Sequence, residues 1–175
     1  SDGYYGIWRV KDLRALSAYV MHDSYCNGVT TIDYTQFNTY GKKFKLLNNI
    51  AFADADNIYT NTDYWEGASN LIPIGGWINE NTTNYSISTN HFCGTFEGQN
   101  NTITGLMILK STGFNEVNNS TNRIGLFGSC NGIATIQNIN MVNSKLSGSN
   151  QVATIRGGGT AIIKNCSIKT LLING

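Results

Sequence analysis

The chain has 175 residues, enough for one domain with a substantial core, and is 41% hydrophobic but only 13% charged, against about 25% charged in an average globular domain. Its formal net charge of +1 excludes bulk electrostatic capture of nucleic acid or of an anionic membrane. It contains no apolar run of the roughly 20 residues a membrane-spanning helix needs, so membrane insertion is not expected.

Polar character comes from Asn, Thr, Ser and 19 Gly, with a single Pro. This composition suits β-structure with many tight turns, because Asn and Gly tolerate left-handed backbone. All eleven carboxylates lie between Asp2 and Glu116, and five cations (Arg123, Lys145, Arg156, Lys164, Lys169) follow singly. That spacing reads as solvated faces. A start at Ser1 without Met or signal peptide is expected of a trimmed mature segment.

In chain order, residues 1–43 read as an N-terminal cap with a short helix at about 10–22. Leu13, Leu16 and Val20 recur at helical spacing, and Asp12 sits near the start, where the helix dipole favours negative charge. Such a helix covers the open end of a solenoid, which otherwise exposes strand edges and core.

Residues 44–175 read as stacked coils. The pattern apolar-x-x-apolar-x-apolar recurs as Leu47/Ile50/Phe52, Ile103/Leu106/Ile108, Ile136/Ile139/Met141 and Ile163/Cys166/Ile168, with starts 56, 33 and 27 residues apart. Because 56 is two steps of 28, a copy is expected between Phe52 and Ile103, where Leu71–Ile78 can supply a strand. Glycine-rich segments (Gly94–Gly98, Gly125–Gly128, Ile155–Gly158) precede the last three copies. Short strands without helical pattern cannot bury their apolar face alone, but can when stacked on copies of themselves. The expected fold is therefore all-β, a right-handed parallel β-helix with a short N-terminal capping helix. The leucine-rich repeat shares the strand spacing, but helix formers are missing between the copies.

A loop of nearly 40 residues, from about 53 to 91, interrupts the coils, and loops of that length tend to carry function. Its aromatic residues Tyr59, Tyr64, Trp65 and Trp77 offer flat surfaces on which sugars stack, as do Tyr4, Tyr5 and Trp8 near the start. Asp54, Asp56 and Asp63, with Glu66 behind them, are candidate Ca²⁺ ligands, set against the plain reading that a long loop needs turn formers. Polysaccharide cleavage needs carboxylates converging on one face, and the coils after Glu116 contain none. His22 and His91 are the only histidines, and no Gly-x-Ser-x-Gly motif supports a triad. Of the four cysteines Cys26, Cys93, Cys130 and Cys166, the last replaces a core aliphatic and is expected to be a buried free thiol.

These residues resemble a known family. Ile7–Val20 looks like the opening segment, and Phe44–Phe52 like the first strand, of bacterial surface proteins carrying the GLUG motif, a pectin-lyase-like β-helix group. The likeness continues through Pro73–Gly75, Gly94-x-Phe96-x-Gly98, Ile103/Leu106, Ile124–Gly128 and Ile136/Ile139. At Val152–Gly157 the chain departs from it, with Ala153 and Thr154 in place of glycines. The resemblance implies an extracellular or cell-surface location within a larger protein, and no shared activity.

The resulting expectation is a non-catalytic surface module, adhesin-like or scaffold, with carbohydrate or a host surface protein as partner. The alternatives are a polysaccharide lyase or glycoside hydrolase, and the repeat region of a larger surface peptidase. The apolar run Leu171–Ile173 is expected to meet further repeats of the same chain or a partner.

Overall fold

The computed structural model describes residues 2–21, 33–53, 69–77, 89–109, 123–148 and 151–174. After strand β1 (Tyr4–Ile7) comes the predicted helix, α1 (Val10–Met21). It forms because Leu13, Leu16 and Val20 make one apolar stripe, and all three are buried. Asp12 starts it: its Oδ2 accepts the Trp8 and Arg9 backbone N–H groups at 2.9 and 3.0 Å, satisfying donors that a helix start leaves unpaired. Two polar contacts seat the helix. The Ser17 hydroxyl donates to the Ile72 carbonyl at 2.8 Å, and the Arg14 guanidinium donates to the Asn70 carbonyl at 2.9 and 3.1 Å.

Most of the remaining structure is parallel β-sheet. In the first sheet, β1 pairs with β2 (Lys43–Leu46), β2 with β6 (Thr95–Glu97), β6 with β10 (Thr135–Gln137) and β10 with β13 (Ile162–Lys164). The register sets Tyr5, Phe44, Phe96, Ile136 and Ile163 in one row across the sheet. In the second sheet, β3 (Ile50–Ala51) pairs with β7 (Thr102–Thr104). Strand β11 (Asn140–Ser147) pairs on one side with β7 and β8 (Met107–Leu109), and on the other with β14 (Ser167–Asn174). Its row runs Ile50, Ile103, Met141, Ile168. A third pairing joins β9 (Phe127–Cys130) to β12 (Arg156–Gly159), and Ile74 and Phe92 bridge in parallel to Phe127 and Cys130. Neighbouring strands in such ladders lie about 4.8 Å apart, so like side chains meet like. One core collects the inward residues of all three sheets with the helix stripe. Among the described residues no helix is long and apolar enough to cross a membrane.

The pairing corrects the expected alignment of the copies. Ile103 faces Met141, and Phe96 faces Ile136, so Ile103/Leu106/Ile108 does not stack on Ile136/Ile139/Met141. The turn between β6 and β7 is longer than that between β10 and β11. It carries two left-handed residues, Gln99 and Asn100, where the later turn has Asn138 alone. No copy is missing before Ile103 either, because Ile50 faces it directly. The described residues that intervene are an insertion between these two neighbouring strands. Leu71 and Ile74 do enter the core, but Ile74 pairs in the third sheet. Within the insertion, β4 (Gly76–Trp77) and β5 (Thr89–Asn90) form an antiparallel pair.

Close stacking explains one glycine well. A Cβ on Gly128 would lie 2.2 Å from the Gly75 carbonyl oxygen, so the third sheet closes only without a side chain there.

The last row is open. Ile136 and Met141 are fully buried, whereas Ile163 and Ile168, one strand further on, are 41% and 48% exposed. Cys166 shares this position: it is a free thiol, but half-buried rather than buried as expected, because among the described residues no strand is stacked beyond its row. Cys130 sits inside the stack, and burial pushes its thiol well above the usual range.

Candidate functional site

The predicted site residues fall largely beyond what the structure describes. Tyr59, Tyr64, Trp65, Asp54, Asp56 and Asp63 lie outside the described residues, as do Glu66, His22 and Cys26. Trp77 is placed in β4, its backbone opposite Thr89. Among the described residues, no group of three or more His, Cys, Asp or Glu is arranged to hold a metal ion.

The structure assembles two polar arrangements that the sequence reading did not join. The first is a cleft of ≈ 440 Å³ between α1 and the first two strands, lined among others by Tyr5, Asp12, Leu16, Tyr19, Lys42 and Phe44. Asp12, Leu16 and Tyr19 reach it together because residues four and seven apart share a helix face. Tyr5 comes from β1 and stacks on Phe44 of β2, with ring centroids 5.4 Å apart and planes 28° apart. Lys42, just before β2, lies 4.8 Å from the Tyr19 ring centroid and donates to the Tyr19 hydroxyl. That hydroxyl donates in turn to the Asn38 carbonyl at 3.0 Å, and the Asn38 amide donates to the Tyr19 backbone carbonyl. The cleft thus combines an aromatic platform with a carboxylate, an ammonium and a phenol held in fixed positions. Of these residues, sequence reasoning singled out only Tyr5 for binding. The helical spacing of Asp12, Leu16 and Tyr19 was a signal for a shared face, but nothing in it announced Lys42.

The second arrangement joins His91, which follows β5, to Ser129 of β9. His91 and Ser129 are buried, with Ser129 Oγ 2.8 Å from His91 Nδ1 and accepting from Arg123 Nη1 at 2.7 Å. Arg123 also donates to Gln151 Oε1 at 3.0 Å. Since Arg123 can only donate, we assign the Ser129 proton to His91 Nδ1. The Phe37 ring meets the imidazole nearly at right angles, with centroids 5.4 Å apart. Burial first, and the Arg123 charge second, push the His91 pKa down to about 4, against a smaller opposing hydrogen bond to the Cys130 backbone. The imidazole is therefore neutral near pH 7. A serine beside a neutral histidine has the atoms of a nucleophile and base, but Ser129 is fully buried. The arrangement satisfies buried polar groups inside the fold.

The chain matches no family model and no solved structure. Over 126 residues, which are 72% of the chain, it is 29% identical to halomucin of Haloquadratum walsbyi. The match takes in 1% of halomucin, so the chain spans a very small part of that relative's length.

Proposed function

We propose that this chain is a non-catalytic, extracellular or cell-surface module, a right-handed parallel β-helix of the GLUG-like kind that acts as a scaffold or adhesin-like segment. The carrying observation is the unbroken row Tyr5, Phe44, Phe96, Ile136, Ile163, held in parallel register across five strands. Such a stack couples each strand only to its neighbours and yields a stiff support. A sequence rich in Asn and Thr and the similarity to a protein named halomucin support an outer location. Carbohydrate or a host surface protein is the partner in this reading. The exposed pair Ile163 and Ile168 takes a further repeat, whose apolar residues continue the two rows.

The test is antibody labelling of intact cells that express the native protein, combined with incubation of the purified chain with acidic polysaccharides. Surface labelling and intact polysaccharide are the expected results. A signal confined to lysed cells would overturn the location. Release of unsaturated uronides or new reducing ends would replace the scaffold with the lyase or hydrolase alternative.

A further inference from the structure

We infer that the cleft between α1 and β1–β2 is a saccharide site that takes one neutral pyranose ring. This deepens the module reading by naming a ligand class, and rests on that reading only for where the sugar is met.

Tyr5 is the platform. Phe44 packs on one face of its ring, while 57% exposure of Tyr5 leaves the other face to solvent. The π face of an aromatic ring is the negative side of its quadrupole, and the axial C–H groups of a pyranose present a weakly positive, apolar patch to it. Leu16 and Phe44 already close the core beneath the cap, so the face of the Tyr5 ring turned away from Phe44 is not spent on packing.

Ring hydroxyls need donors and acceptors at the rim of that platform. Lys42 Nζ carries three N–H bonds, of which one is directed to the Tyr19 hydroxyl, leaving two for sugar hydroxyls. Asp12 uses its Oδ2 for the helix start, and an ionised carboxylate has about four lone-pair positions, so it retains acceptor capacity for sugar hydroxyls. Tyr19 is held by its bonds to Asn38 and Lys42, so little ordering is left to be done on binding. One carboxylate and one ammonium in the lining balance in charge, which favours a neutral ring over a uronate. A cleft of ≈ 440 Å³ stands at the lower end of the ~300–1,000 Å³ range of small-molecule sites, suited to one ring and not to a long chain.

The test is saturation-transfer difference NMR of the purified chain with the methyl glycosides of glucose, galactose, mannose and glucuronic acid. Saturable binding of at least one neutral glycoside is expected, with Kd on the order of 1 mM. Tyr5→Phe keeps the platform and stays within about two-fold of the wild type, while Tyr5→Ala weakens binding about ten-fold. Lys42→Met weakens it several-fold, with the circular dichroism of α1 unchanged. Lys42→Met also keeps the test decisive should Tyr5→Ala fail to fold. Absence of saturation with every neutral glycoside, binding of the glucuronide alone, or wild-type affinity in both Tyr5→Ala and Lys42→Met would overturn the site. Such a failure leaves the cell-labelling result untouched, and a failed labelling result leaves the NMR result standing.

Discussion

The Ser129 hydroxyl lies 2.8 Å from His91 Nδ1 inside the protein, with the Arg123 guanidinium on its other side. Burial of this imidazole first, and the Arg123 charge second, set how the fold responds to acid. Unfolded, His91 takes up a proton below about pH 6.5; folded, it resists until about pH 4. Between those values the unfolded state binds more protons, so stability falls as pH falls through the window and levels off below it. The full loss is on the order of 3 kcal/mol. Urea midpoints measured from pH 7 to pH 4.5 should decline, and His91→Asn, which keeps an acceptor for Ser129, should flatten the decline. An unchanged slope in the variant would show that other groups carry the acid sensitivity.

Ile136 and Ile163 are neighbours in one row, yet the first is fully buried and the second 41% exposed. Truncation should separate them. Ile136→Ala removes packing and leaves a cavity, costing about 2–5 kcal/mol. Ile163→Ala removes side-chain atoms that still meet water, and should cost about 1 kcal/mol or less. Thermal unfolding of both variants under one condition makes the comparison, and equal losses would mean that the open row is covered in solution.

Part of this architecture was legible in the sequence. The stripe Leu13, Leu16, Val20 located the helix, and the apolar copy at Ile136 and Ile163 gave a correct pair of stacked strands. The register before it was not legible, because apolar-x-x-apolar-x-apolar fits at either of two offsets. The choice between them is made by the turns, where Gln99 and Asn100 adopt left-handed backbone that Asn138 supplies alone later. The cleft was half legible. Helical spacing put Asp12, Leu16 and Tyr19 on one face, but tertiary packing decides which strand that face meets. Lys42 and Phe44 therefore could not be assigned to it. His91 and Ser129 are 38 residues apart, and no local pattern relates them.

Gly128 offers a test of the third sheet. A Cβ there meets the Gly75 carbonyl oxygen at 2.2 Å and the Arg123 carbonyl oxygen at 2.8 Å, and neither backbone atom belongs to a flexible side chain. Gly128→Ala must push strands apart, at a cost of about 1–3 kcal/mol. Gly41→Ala is the control: nothing lies near its Cβ, but its φ is +68°, so strain alone is felt, about 1 kcal/mol. Chemical denaturation should rank Gly128→Ala as the worse of the two. The opposite order would place the tight approach elsewhere.

Cysteine reactivity distinguishes the inside of the stack from its open row. Thiolates react and thiols do not. Cys130 is fully enclosed, and burial drives its ionisation out of the ordinary range. Cys166 stands half-buried, its thiol donating to the Lys164 carbonyl at 3.2 Å. A maleimide should therefore label Cys166 under native conditions and reach Cys130 only on unfolding, with peptide mass mapping to identify each site. Binding of any further repeat to the open row would cover Cys166 together with Ile163 and Ile168. The labelling rate at Cys166 then becomes a direct reading of that coverage. If it already reacts as slowly as Cys130 in the isolated chain, the row is closed by self-association, and gel filtration with light scattering will show a dimer.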